Sequence, residues 1–183
     1  MILRLLRKDP EREAATSFYE AIVAAARRPQ PFRAWGVADD PNGRFEVLAA
    51  HMLIALRRLR RDDKTTRAFS QRVFDAFFRN MDDELREMGV GDLVVGKRIR
   101  KMAEAFYGRA GAYDAALDAG DDAALTDVVR RNVFGAADDA GGATKFASYL
   151  KNADNMLQKQ DTDTLLNGLI VFPDYDAASD NHE

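Results

Sequence analysis

A chain of 183 residues, 46% hydrophobic and 31% charged, suits one globular domain that needs no disulfide to hold its core. It has no cysteine and only two histidines, His51 and His182, which excludes iron–sulfur clusters, zinc ribbons and thiol chemistry. Net charge is −3, yet residues 1–109 carry 22 Lys/Arg against 16 Asp/Glu and residues 110–183 carry 5 against 14, so the two halves either attract one another or meet different surroundings.

Alanine is heavily used and long Val/Ile/Thr runs are missing, a balance that favours helix. Residues 1–10 are expected to be a flexible N-terminus; Met1 to Lys8 holds too short an apolar stretch for a secretory signal. Over 11–28, Ala14, Phe18, Ile22 and Ala26 share one helical stripe, with Ala15, Tyr19 and Val23 beside it, until Pro29 and Pro31 stop it. Residues 29–43 read as an irregular link, in which Asp40-Pro41 can cap a helix or Asn42-Gly43 can make a tight turn. Phe45, Leu48, Met52, Leu56 and Leu59 predict a helix over 44–61. Asp62, Asp63, Thr65 and Thr66 offer caps for the next, over 65–88. That helix carries two stripes, one of Phe74, Phe78, Met81, Leu85 and Met88 and one of Phe69, Val73 and Phe77, which predicts the central element, with Phe74, Phe77, Phe78, Met81 and Leu85 among the most buried side chains. Gly89 can end it in a left-handed cap.

After a link over 89–96, a helix with Ile99, Met102, Ala103 and Phe106 runs to about Tyr107; its start is either Asp92 as a cap or Lys97 after Gly96. Further helices are expected over 110–118, 122–134, 143–159 and 162–168, with Asp138 to Gly142 as a loop. From Pro173 the chain is expected to be an acidic, disordered tail, leaving 11–172 as the folded domain. The fold class is all-α, an irregular single-domain helical bundle of about six to eight helices.

Chemistry finds little purchase. Glu46 and His51 lie five apart and so on different helix faces, and the folded region holds no second histidine, so no metal and no cofactor is expected. The glycine signatures of nucleotide sites and the serine elbow of hydrolases are absent, and no enzyme activity is expected. The longest apolar run, Val47 to Leu56, is half the ~20 residues of a membrane-spanning helix. Arg57, Arg58, Arg60 and Arg61 close a helix, where cations complement the dipole. Lys97, Arg98, Arg100 and Lys101 stand at a helix start, where cations cost stability, and this points to a binding role. The acidic balance and the glycine-rich link argue against a helix-turn-helix, so no DNA is expected.

The stretch FDAFFRNMDDELREMGVGDLVVGKRIRKMAEAFYGR, Phe74 to Arg109, resembles the signature of the ubiquinol–cytochrome c chaperone family. So do GRFEVLAAHMLIALRRLR, Gly43 to Arg60, and the Pro-Phe-x-x-Trp-Gly-Val lead-in at Pro31. The resemblance implies a non-enzymatic assembly factor whose relatives hold newly made cytochrome b near the ribosome and the membrane, with a partner subunit. Implied partners are therefore cytochrome b or another subunit of ubiquinol–cytochrome c reductase, and the ribosome or a membrane surface. On this reading Lys97, Arg98, Arg100, Lys101 and Arg109 bind partners. Met52, Met81, Met88, Met102 and Tyr107 offer adaptable client contacts, and Gly89, Gly91 and Asp92 shape the turn. With no mitochondrial presequence or anchor in view, a bacterial version is expected, cytoplasmic and peripheral at the inner face of the membrane. The competing reading is a helical binder of an apolar small molecule such as a quinone or lipid.

Overall fold

The computed structural model describes residues 9–135 and 140–175, and among these there is no strand. Asp9 caps α1 (Pro10–Ala26), its carboxylate accepting from the Arg12 amide. The short α2 (Gln30–Ala34) sits inside the stretch expected to be irregular. Asp40 then caps α3 (Pro41–Arg60), accepting from Gly43 N at 2.8 Å with Pro41 in the first turn, so of the two alternatives the cap forms and the tight turn does not. There follow α4 (Asp63–Glu87), α5 (Asp92–Ala119) and α6 (Asp122–Val129), which passes into a π-helical turn at Arg130–Phe134. The described chain closes with α7 (Ala140–Leu157), α8 (Thr162–Leu166) and an extended segment to Tyr175.

The central helix is α3, not α4. From Val47 to Leu56 every residue of α3 is buried, and α1, α4, α5, α7 and the π turn all pack on it. A helix that is apolar all round belongs inside, and Ala49, Ala50 and Ala55 let its neighbours approach closely. Helix α4 instead buries one face, through Phe69, Val73, Phe77, Met81 and Leu85. Phe74 and Phe78 are only half-buried, in an aromatic cluster with Phe106 of α5, their ring centroids 5.9 and 6.2 Å from it. The Phe74–Phe78 side of α4 is thus an edge contact with one helix rather than a second buried side.

Helix α5 runs unbroken for 28 residues, through Gly96, Gly108 and Gly111, where a break was expected near Tyr107. An interior glycine costs only ~1 kcal/mol against alanine, and the buried face continues past the glycines through Phe106, Tyr113 and Ala116. Its start is Asp92, so Lys97 to Lys101 lie beyond the first turn. The dipole penalty fades within that turn, so these cations stand one turn inside the helix rather than at its start and do not bear that cost. Gly89 adopts φ +78° after α4, a conformation that favours glycine. Gly91, in ordinary extended backbone with nothing near its Cα hydrogens, has no such requirement.

Two further boundaries move. Gly141 and Gly142 belong to α7 rather than to a loop, while Asp138 and Asp139 lie outside the described residues. A Cβ on Gly142 would stand 1.9 Å from the Trp35 carbonyl oxygen, so glycine lets α7 touch the link after α2. The tail boundary at Pro173 also shifts: Tyr175 is 3% exposed, its ring centroid 5.1 Å from that of Trp35 and its hydroxyl donating to Ala25 O at 3.2 Å. Arg28 fastens this segment, donating to Pro173 O and to the Asp174 carboxylate. Aromatic burial outweighs the acidic Asp174 that the segment carries; residues 176–183 lie outside the described residues.

The charge asymmetry is largely answered within the fold. Arg57 reaches Asp114, Asp118 and Asp154, and Arg60 also holds Asp114. Arg58, 4% exposed, satisfies the carbonyls of Leu157 and Gln160 and the Asp62 carboxylate. The basic end of α3 therefore binds the acidic second half together.

Candidate functional site

A groove crosses one side of the bundle where α1, α3, α4 and α5 diverge. Its two lobes have volumes of about 500 and 450 Å³. Pro41, Phe45, Met81, Glu84 and Met88 line both, so the two lobes adjoin along this side of the bundle. In the first lobe Val23 of α1, Phe32 of α2 and Leu48 of α3 add to the walls, with Arg27, Arg44 and Glu87 on the rim. The second is walled by Leu85 and Met102 and rimmed by Arg98, Lys101 and Arg109. Methionine and phenylalanine thus form much of the floor, with cations and the carboxylates of Glu84 and Glu87 at the edge. Unbranched methionine reshapes at little cost, which suits a surface that meets varied apolar side chains.

Local structure explains this shape. Half-buried Phe45 stacks on Phe77 with centroids 6.2 Å apart, so the first turns of α3 lean on α4 while leaving one ring face to the groove. Met81 is 4% exposed and supports the floor, whereas Met88, 61% exposed where α4 ends, projects into solvent. The wall of the second lobe is an ion pair. Arg109 donates to Glu46 Oε1 at 2.7 Å, and Glu46 is 5% exposed. Burial pushes the Glu46 carboxyl up to about 7, against the opposing pull of Arg109. Arg109 also donates to Asn132 and lies over the Phe45 ring, yet its Nη1 is buried with no hydrogen-bond partner. A spare charged donor therefore sits in the groove wall.

Of the residues singled out in the sequence, Met81, Met88, Arg98, Lys101, Met102 and Arg109 converge on this groove. Lys97 and Arg100 are exposed on the outer side of α5, outside both lobes. Tyr107 is 63% exposed, resting against Phe74 with centroids 5.6 Å apart, and does not line the groove. Met52 is wholly buried, because α3 is enclosed on every side, and cannot offer a client contact as the chain stands folded. Asp92 pairs with Arg86 across the α4–α5 turn. Sequence reasoning missed Pro41, Phe45, Glu46 and Leu85. Phe45 and Leu85 were read as core, and Glu46 was weighed only as a metal ligand; its place one turn before the buried Ala50–Ile54 stretch was the available signal.

His51 lies elsewhere, fully buried. Its Nδ1 donates to Val47 O at 2.7 Å, which leaves Nε2 to accept from the Tyr149 hydroxyl at 3.0 Å, with the Tyr175 hydroxyl 3.2 Å away. Burial pushes the imidazole down to about 4, so it is neutral at physiological pH. It is a structural tie between α3, α7 and the C-terminal segment. Among the described residues no cluster of three or more His, Asp or Glu could hold a metal ion. No described helix is long and apolar enough to cross a membrane.

Comparison with known proteins fits this anatomy. No curated protein matches the chain by sequence. The crystal structure of the Cbp3 homolog from Brucella abortus is similar over 96% of this chain and 98% of that one, at 39% sequence identity with a TM-score of 0.84. The ubiquinol-cytochrome C chaperone family matches residues 33–172, a span that takes in the groove-bearing parts of α3, α4 and α5. This chain belongs to the ubiquinol–cytochrome c chaperone family.

Proposed function

We propose that the chain serves assembly of ubiquinol–cytochrome c reductase by holding newly made cytochrome b, with an apolar segment of that client lying in the α3–α4–α5 groove. The observation that carries this reading is the groove itself: two adjoining lobes floored by Phe45, Met81, Leu85 and Met102 and rimmed by Arg98, Lys101 and Arg109. An apolar helix lays its side chains on such a floor, while flanking carboxylates and carbonyls meet the rim. Arg109 Nη1 offers a donor for a client carbonyl or carboxylate. No reaction is assigned; holding and release need binding energy alone. A membrane-protein client places the chain at the cytoplasmic face of the membrane.

Photo-crosslinking tests this directly. A benzophenone amino acid at Met88 or Met102 should capture cytochrome b in cells, and the same probe at Tyr107, off the groove, should not. Loss of the chain should lower assembled reductase and its b-type haem signal without lowering cytochrome b transcript. Normal haem spectra and reductase activity in the deletion strain would overturn the reading. Retention of a quinone or lipid by the purified protein in native mass spectrometry, with no crosslink, would favour the small-molecule alternative, for which each lobe has adequate volume.

A further inference from the structure

Many cations of the described chain are engaged in ion pairs. Arg57, Arg58, Arg60, Arg72, Arg86 and Arg109 all hold carboxylates. Lys97, Arg98, Arg100 and Lys101 are all exposed, and none of the four side chains makes an ion pair or hydrogen bond with another described residue. They fall within Leu93 to Ala103, eleven residues with four cations and no acid. The acids nearby are those of α4, Asp92 at the first position of α5 and Glu104 one turn after Arg100; Arg86 holds Asp82 and Asp92, while Arg27 lies 3.8 Å from Glu84. Between Asp92 and Glu104 the exposed face of α5 is purely basic.

Beside those cations stand unusual apolar side chains. Leu93 is 96% exposed, Met88 61% and Val94 47%, three of the most exposed large hydrophobic groups in the described chain. Helical spacing aligns Leu93, Lys97, Arg100 and Tyr107 on one stripe, with Val94, Lys101 and Arg98 on the next. Val95, Ile99, Met102 and Phe106 occupy the opposite side, against α4 and the core. A leucine left fully in water at the tip of a hairpin serves no packing purpose, and phosphate contacts alone give no reason for it.

We infer that the α4–α5 tip and the outer stripe of α5 form a docking surface for an anionic lipid bilayer, with Met88, Leu93 and Val94 entering the headgroup region and Lys97, Arg98, Arg100 and Lys101 meeting lipid phosphates. This is the arrangement by which interfacial helices bind: a shallow apolar wedge beside long cationic side chains that keep their heads in the polar layer. The inference deepens the peripheral placement proposed above and rests on it for its purpose. Met88, Arg98 and Lys101 belong both to the docking surface and to the groove rim, so a docked molecule would hold one end of the groove at the membrane surface, where an apolar client emerges.

Vesicle binding by the purified full chain tests this without any client. The protein should co-sediment with mixed phosphatidylcholine–phosphatidylglycerol vesicles, bind pure phosphatidylcholine far less, and dissociate as salt rises. The reversal K97E/R98E/R100E/K101E should lower partitioning at least about 100-fold, since each cation near an anionic surface contributes about fivefold. L93D should lower it about tenfold through loss of apolar insertion. Reversal of two exposed lysines elsewhere, K64E/K159E, should change it little. An L93W variant should gain a blue-shifted emission, quenched by brominated acyl chains, while the buried Trp35 of the unaltered chain supplies a constant background. These side chains have no internal partners, so circular dichroism and melting should be unchanged. Equal binding to neutral and anionic vesicles, no binding, or an L93W emission indifferent to vesicles would overturn the inference. So would preferential binding of the four cations to a ribosomal RNA fragment that displaces the protein from vesicles. Failure of the crosslink at Met102, a groove residue outside the docking surface, with vesicle binding intact would instead refute the client reading alone.

Discussion

Two buried titratable groups make opposing demands on stability, and Glu46→Gln separates them. Glu46 rises from an ordinary 4.5 to about 7, and His51 falls from 6.5 to about 4. The folded chain keeps Glu46 protonated up to about pH 7, whereas the unfolded chain releases that proton above 4.5, so rising pH across this interval favours unfolding. The folded chain keeps His51 neutral down to about pH 4, whereas the unfolded chain protonates it below 6.5, so falling pH favours unfolding. At 1.36 kcal/mol per tenfold, each displacement corresponds to about 3 kcal/mol, of opposite sign and in nearly the same window. Native stability should therefore be almost flat between pH 4.5 and 6.5. Asp62, Asp118 and Asp161, held low mainly by hydrogen bonds, lose their contributions only as pH falls below the ordinary 3.8 and stay outside the window. In Glu46→Gln the amide oxygen can still accept from Arg109, but the proton is gone, and the His51 slope is unmasked. Urea unfolding at pH 4.5, 5.5, 6.5 and 7.5 should show this variant gaining about 2–3 kcal/mol between the first and third points. A profile parallel to that of the unaltered chain would refute the reasoning, because Glu46 would then not be titrating in this interval.

Arg57→Met should cost about 2–4 kcal/mol in urea unfolding, since it leaves the buried Asp154 without its cation and frees Asp114 and Asp118 from α3. Tyr175→Ala should cost about 3 kcal/mol and lower the melting temperature, which would place the end of the fold beyond Phe172. Gly142→Ala should destabilise by roughly 2 kcal/mol or more, because its Cβ meets the Trp35 backbone. Gly108→Ala and Gly111→Ala, with open space at both positions, should each stabilise by about 0.5–1 kcal/mol in the same assay.

Periodicity made the helices legible because each buries a face at helical spacing, and Phe18, Ile22, Leu48 and Leu59 are buried where that spacing puts them. It could not rank the helices. A one-dimensional pattern counts apolar stripes, and α4 has two, but burial depends on what stands opposite each stripe. The alanines of α3 marked the close approaches that make α3 central, and alanine is a weak signal in a chain with so many. Glycine misled in both directions: Gly108 and Gly111 proved cheap to carry inside α5, and Gly142 marked close packing rather than a loop. The groove was half visible, because its methionines and cations drew notice by type. Its floor was not, since Phe45 and Leu85 are indistinguishable from core residues until α3 and α4 are seen to diverge above them.

The cations of the first half meet two fates, and the difference bears on function. At the end of α3, Arg57 and Arg58 are largely buried and Arg57 holds three acids of the second half, so they rigidify the body; Arg58, buried among carbonyls, cannot be moved without loss of the fold. Those on α5 between Leu93 and Ala103 hold nothing within the described chain, and their long side chains keep their entropy until a partner arrives. A chaperone needs both. The scaffold must stay folded while an apolar client is bound and released, and the surface that meets the client must pay no internal contact to do so. Arg109 stands at the junction, tied to Glu46 on one side yet with a free buried donor on the other. The groove wall is therefore anchored to the rigid half and still able to gain a hydrogen bond from whatever enters.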